Sequence, residues 1–284
     1  MKTNPHHKRF DLTLYIRSWL AGRRERDQYR NLKRYLMFIG YPRSGHSLVG
    51  AHLTAHPNMV ISNELHALGY FKMGYRRTQL LHLIQQRDRH FVARDCRSGK
   101  YSYAIPGQWQ GRYQKLTVIG DKKGGGSTSV LLRKPQLLDR FRSCIGLPLG
   151  IIHVIRNPFD TIARIQLKAD CSLESAVDQY TRLCQGNAAL IERCPDEILT
   201  MRHEDYIAQP RVKLAELCRF AGVPFASAYL DQCAANVYRS PNRTRDEIQW
   251  PSAGIARVEQ LIEKHHFLHG YTFVEEASVE RQAA

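Results

Sequence analysis

Short apolar runs, each closed by a glycine or a turn, punctuate the chain, and between them apolar residues recur at helical spacing. Tyr35–Ile39 runs without a polar break into Gly40, and Leu48, Val49 and Leu53 follow with a helical period. Strand, tight turn and helix therefore succeed one another directly. Met59–Ile61, Leu116–Gly120, Leu149–Ile155 and Ile198–Met201 predict further strands, of the unbroken apolar kind that a parallel sheet covers on both faces. Helices are predicted at Leu12–Leu20, from about Leu65 to Arg87, at Ser172–Cys194, at Pro210–Ala221 closed by Gly222, and around Ile255, Val258, Leu261 and Ile262. Gly124-Gly125-Gly126 reads as a break, with Ser127 capping the helix after it. Pro158 suits a first helical turn. Residues 91–112, rich in Gly, Tyr, Ser and Pro, read as a long surface excursion. Alternating strands and helices predict an α/β fold in three layers, a mostly parallel central sheet flanked by helices. No linker divides residues 35–284, which read as a single domain behind a basic N-terminal arm, residues 1–34.

Charge changes the picture. Lys and Arg number 42 against 26 Asp and Glu, a net +16, which favours anionic partners: nucleotides, nucleic acid, acidic glycans or a membrane surface. Residues 1–34 hold ten of the cations and three acidic residues, the composition of a solvated arm capable of weak membrane-surface contact. No nucleic-acid-binding motif accompanies the charge, so nucleic acid is not an expected partner. The residues before Tyr35 lack the apolar core of a signal peptide, and no run is long enough to span a bilayer. The seven cysteines are odd in number with no Cys-x-x-Cys pair, and the histidines show no His-Glu-x-x-His. These patterns argue against a disulfide scaffold or a metal site, and predict a reducing, cytoplasmic setting.

The most informative segment is Gly40-Tyr41-Pro42-Arg43-Ser44-Gly45-His46-Ser47. It has the G-x-x-x-x-G frame of a phosphate-cradling P-loop, in which backbone amides and a helix N-terminus converge on one anion. A nucleotide hydrolase or kinase needs Lys after the second glycine; here that position is His46, and the cation stands inside the loop as Arg43. The order Pro42-Arg43-Ser44-Gly45-His46-Ser47 resembles the phosphosulfate loop of sulfotransferases that use 3′-phosphoadenosine 5′-phosphosulfate (PAPS). A second element agrees: Ile151–Ile155 followed by Arg156-Asn157-Pro158 resembles the strand, Arg and helix start of the same family. The pattern is most similar to the carbohydrate and tyrosylprotein branches. The resemblance implies a P-loop-type domain and PAPS as co-substrate, leaving 3′,5′-adenosine bisphosphate (PAP), with no metal. It also implies loop contacts from residues 42–47 and Arg156 on the 3′-phosphate. Where the family has Ser eight residues after that Arg, this chain has Arg164, a candidate second cation, with Thr161 as a weaker hydroxyl candidate.

For catalysis the resemblance implies Glu64, 21 residues after Arg43 and past a short strand, as general base, ideally with a raised pKa. Lys122, with Lys123 beside it and together with Arg43, would stabilise the transferred sulfuryl group. Read from the residues alone, Glu64 is equally a solvent-facing helix-start carboxylate, and Lys122 a basic turn. Asp121 can be read as the metal-binding carboxylate of a kinase. Arg243 and Arg245, in Ser240–Asp246, are candidate phosphate contacts, and Trp250 either stacks a base or packs. His203–Tyr206 resembles a structural segment. The predicted function is sulfuryl transfer from PAPS to a hydroxyl or amine of a small-molecule or glycan acceptor. A kinase-like enzyme and a non-catalytic basic anion- or glycan-binding protein are the alternatives.

Overall fold

The structure, a computed structural model, describes residues 10–98, 101–238 and 242–274. Five strands form one sheet: β1 Arg34–Gly40, β2 Met59–Asn63, β5 Val118–Lys122, β6 Leu149–Ile155 and β7 Ile198–Arg202; β3 Arg97–Ser98 and β4 Tyr101–Ser102 form a small antiparallel pair apart. The sheet order is β2-β5-β1-β6-β7 and every pairing is parallel. This is the predicted α/β architecture. The three central strands are buried almost end to end, which is why they lack polar alternation.

The pleat sorts β1 onto two cores. Tyr35, Met37 and Ile39 join helices Arg77–Val92, Gly124–Arg133 and Leu137–Ile145 on one face. Leu36 and Phe38 join helices His46–Thr54, Pro210–Ala221 and Ser227–Ala235 on the other. A third cluster packs Pro158–Ala169 against Leu173–Arg193 and Ser252–Lys264. Helix Leu12–Arg24 lies along Arg77–Val92: Gln79 Nε2 donates to the Tyr15 carbonyl, and a Cβ on Gly22 would come within 2.5 Å of the Thr78 carbonyl oxygen.

Four expectations change. The stretch 65–87 is two helices, Ala67–Lys72 and Arg77–Val92, parted where Gly74 takes φ +96°. Strand β5 runs two residues further than predicted and includes Asp121 and Lys122. Gly124-Gly125-Gly126 does not break the chain but opens helix Gly124–Arg133, with Ser127 inside it. These glycines pay their helical cost because their neighbours leave no room: a Cβ on Gly124 would overlap His46, and one on Gly125 would meet Pro42 Cδ at 3.0 Å. Helices Leu137–Ile145 and Ser227–Ala235 were not foreseen. The surface excursion returns to the fold, with Cys96 and Ile105 buried and the Trp109 N–H donating to the Ala55 carbonyl.

Candidate active site

Parallel strands bring their C-terminal ends to one edge of the sheet, where open α/β folds bind ligands. Here β1 delivers the Gly40 loop, β2 and β5 deliver Glu64 and Lys122, and β6 and β7 deliver Arg156 and His203. The strand order therefore sets a carboxylate–lysine group on one flank of the loop and an arginine–histidine group on the other.

The loop needs three left-handed residues, Gly40 (φ +131°), Arg43 (+68°) and Gly45 (+94°). Arg43 is the exception among them, since a side chain there carries backbone strain. Thr128 Oγ1 accepts from the Gly40 N–H at 2.9 Å and holds the loop's start. Among the described residues, the amides of Gly45, His46 and Ser47 donate to no backbone carbonyl. They are the unpaired first-turn donors of helix His46–Thr54. Pro42 packs on Gly125, Ser44 is buried, and the exposed Arg43 guanidinium has no partner among the described residues.

His46 occupies the position of the hydrolase lysine, yet its ring turns back into the loop. Nε2–H donates to the Ile39 carbonyl at 2.9 Å, which leaves Nδ1 facing Ser44 Oγ at 3.1 Å. Burial lowers its pKa to about 4, against the pull of the Ile39 hydrogen bond. The imidazole is neutral cement for the loop, and only the backbone N–H of His46 is left for an anion.

On the β5 flank, Lys122 Nζ donates to Ser47 Oγ at 3.0 Å and to Glu64 Oε1 at 3.1 Å, and Lys123 Nζ reaches Glu64 Oε2 at 3.0 Å. Lys122 is buried and Glu64 half-exposed. Burial lowers the Lys122 pKa and Glu64 opposes that shift. For Glu64, burial raises the pKa but the two ammoniums outweigh it and bring it to about 2. This is the opposite of the raised value that would suit a general base. Glu64 sits at φ +59° and His66 at +71°, a strained turn held from outside. The Asp121 carboxylate holds it: Oδ1 accepts from Ser62 Oγ (2.8 Å) and the Leu65 N–H (3.0 Å), and Oδ2 from the Ala67 N–H (2.8 Å). Asp121 is thus committed to the turn that presents Glu64.

On the β6 flank, Arg156 is buried, donates through Nη2 to the Asn242 carbonyl and lies 4.0 Å from Asp160 Oδ2. Among the described residues, Arg156 Nε, Thr161 Oγ1 and His203 Nδ1 are buried without a hydrogen-bond partner. His203 abuts the loop, so closely that a Cβ on Gly45 would overlap its ring. Burial, then Arg156 and His46, lower the His203 pKa to about 3. Arg164 is half-buried on helix Pro158–Ala169, with no ion pair or hydrogen bond among the described residues.

The C-terminal arginines part company. Arg243 is exposed and pairs with Asp246 at 3.0 Å. Arg245 is buried: Nη1 donates to the Thr272 and Phe273 carbonyls, and Asp160 stands beside it. Its placement is that of a core strut. Trp250 packs edge-on against Phe159 and Phe273 and donates to the Arg245 carbonyl. Ser240 and Pro241 lie outside the described residues. Glu204 accepts from the Asn157 N–H and the Tyr271 hydroxyl, and Tyr206 pairs with His52, so the His203–Tyr206 segment packs and latches as expected.

Two site residues escaped sequence reasoning. Tyr103 stands close enough to Ser47 and Arg43 to feel both, its pKa raised mainly by burial, and Tyr101 and Tyr238 extend an aromatic wall from it. Nothing in the local sequence singles Tyr103 out. His203 was read only as structural.

The chain has the sulfotransferase fold, as three solved structures show. The sulfotransferase domain of the Synechococcus PCC 7002 olefin synthase is 20% identical, with a TM-score of 0.55 over 82% of this chain and 94% of that one. The sulfotransferase domain of the curacin biosynthetic pathway is 16% identical, TM-score 0.53, over 82% and 98%. Sulfotransferase STF9 from Mycobacterium avium is 12% identical, TM-score 0.51, over 88% and 81%. No protein-family model matches the chain, and no curated protein matches it. The likeness is of fold, and the branch resemblance rests on the sequence alone.

Proposed function

We propose that the chain is a PAPS-dependent sulfotransferase, with residues 35–284 acting as one unit. The observation that carries the reading is the pairing of unsatisfied donors with spare cations around one loop. Three first-turn amides, the exposed Arg43, and the buried orphan atoms Arg156 Nε and His203 Nδ1 lie at or beside Gly40–Ser47, and Arg164 follows Arg156 on helix Pro158–Ala169. Buried donors without partners are costly and point to a missing acceptor, and an extended anion fits this set. PAPS supplies the activated sulfuryl group. The loop amides, Arg43 and Lys122 would hold the phosphosulfate, and Arg156, Arg164 and Arg243 the 3′-phosphate side.

Glu64 is the base for the acceptor hydroxyl or amine. While it is clamped by two ammoniums it is a poor one. Lys122, shared between Ser47 and Glu64, is the natural group to turn toward an incoming anion. Glu64 would then lose half its clamp, and burial would lift its pKa toward a useful range. The kinase reading needs a free carboxylate at Asp121, and all of that group's bonding goes to the Glu64 turn.

Calorimetry with PAP, and with ATP plus Mg²⁺ for comparison, tests the donor assignment. Tight PAP binding with little ATP binding is expected; ATP preference, or no binding of either, would overturn it. Glu64→Gln should lower turnover by roughly 10²- to 10⁴-fold while PAP binding persists, the range of a general base. Unchanged turnover would remove Glu64 from that role.

A further inference from the structure

Away from the loop, helix Leu12–Arg24 is apolar on two faces, one against the domain and one toward solvent. Its inner face carries Ser18 and Gly22, both buried against Thr78 and Gln79. Leu14 and Tyr15 also pack inward, but four further large apolar residues face outward: Leu12 is 61% exposed, Ile16 48%, Trp19 43% and Leu20 44%. Their spacing, i, i+4, i+7 and i+8, makes one continuous stripe. With Phe10 they are five of the ten exposed large hydrophobic side chains among the described residues, gathered in eleven consecutive positions. A helix serving only to cover the domain would turn this stripe inward.

Cations border the stripe. Arg23 continues it by one turn and stacks over the Trp19 ring at 4.7 Å, and Arg17 and Arg24 stand on its flank. Beyond the helix end, Arg23, Arg26, Arg30 and Arg77 line a cleft of about 740 Å³ in which Asp27 is the one acidic residue among the described residues. Arg26 and Arg30 are exposed and form no ion pair among the described residues. The cleft lies at the N-terminal end of helix Arg77–Val92, whereas Arg87, near the other end, donates to the Asn63 carbonyl at the catalytic edge. Ten residues of helix, about 15 Å, separate the two.

We propose that this face docks the protein on an anionic phospholipid bilayer. The stripe enters the headgroup–acyl boundary, Trp19 lies at the interface, and the arginine cleft takes headgroup phosphates. Charge complementarity favours this occupant over a second copy of the chain, since self-association would bring two strongly cationic faces together. The surface is distinct from the proposed PAPS site and does not depend on that assignment.

The test is co-sedimentation of the full chain with phosphatidylcholine vesicles, alone or with roughly a third phosphatidylserine, where each cation near the surface contributes roughly fivefold to binding. Binding is expected only to the anionic vesicles, and should weaken as salt rises. The exposed pair Ile16→Ser with Trp19→Ser, and separately Arg26→Glu with Arg30→Glu, should each reduce it at least tenfold, with the circular dichroism spectrum and PAP binding unchanged. The proposal is overturned by a wild-type chain that ignores anionic vesicles, by vesicle binding that survives both double substitutions, or by a solution dimer that becomes monomeric with Ile16→Ser and Trp19→Ser. Binding to heparin or nucleic acid without binding to vesicles would also overturn it, and would reassign the arginines to a soluble polyanion.

Discussion

Asp121 offers the sharpest test of how the site is held. Its carboxylate accepts three hydrogen bonds, from Ser62 Oγ, the Leu65 N–H and the Ala67 N–H, and these close the turn in which Glu64 and His66 take left-handed backbone angles. Asp121→Asn keeps the shape but replaces one acceptor oxygen with a donor. If the remaining oxygen stays with Ser62 and Leu65, the new NH₂ faces the Ala67 N–H. One charge-assisted hydrogen bond is lost and a buried donor is stranded, together about 3 kcal/mol. Ser62→Ala removes a single partner and should cost about 1 kcal/mol. Urea unfolding of the three chains reads both numbers directly. Because the lost contact orients Glu64 rather than the loop, turnover in Asp121→Asn should fall roughly tenfold or more, the effect of a misplaced catalytic group. PAP affinity should hold. An Asp121→Asn chain within about 0.5 kcal/mol of wild type, the range of an ordinary surface substitution, and fully active would refute the argument.

Acid should unfold the protein early. His46, His52, His153 and His203 are buried, and burial takes their pKa values down to about 4, 3, 3 and 3. Each is neutral when folded and protonates near 6.5 when unfolded, so stability is full above that value and drains away as pH falls toward 4, by about 2 kcal/mol per ring at pH 5. Glu64, depressed to about 2, adds nothing to this window, since its contribution is lost only below its unfolded value; urea midpoints at pH 7 and pH 5 measure the difference, and equal midpoints would contradict it. Gly45→Ala forces a Cβ into the His203 ring at a left-handed backbone position, and PAP titration should show a loss of at least roughly tenfold with the fold retained. Arg156→Lys should weaken PAP binding by about 1.5–3 kcal/mol, the worth of a guanidinium–phosphate contact. Arg245→Ala should instead lower the free energy of unfolding by about 3 kcal/mol and leave PAP affinity alone, because it breaks a buried pair with Asp160.

Where burial is complete, the sequence was legible. Strands β1, β5 and β6 are covered on both faces, so their apolar runs carry no ambiguity, and the loop after β1 announces itself by its glycines. Helix Ser227–Ala235 was invisible because only Tyr229, Leu230 and Cys233 face the core, too few to establish a period. Asp121 and Lys122 looked like a polar turn because charged residues seldom end a buried strand; here each has dedicated partners. Arg43 and Arg245 look alike in a string of letters. One projects into solvent, and the other is enclosed by carbonyls contributed by residues 272 and 273, almost thirty positions away. The role of His46 turns on a carbonyl that the end of strand β1 supplies once the loop is folded, that of Ile39.

The contact between Gly124 and His46 ties together two positions 78 residues apart. The ring fills the space that any side chain at 124 would need, so position 124 cannot grow while His46 stays in place. In related chains a residue larger than glycine at the start of this helix should be accompanied by something smaller than histidine after the second loop glycine. A library randomised at position 124 alone should return little but glycine, whereas one randomised at both should recover paired solutions.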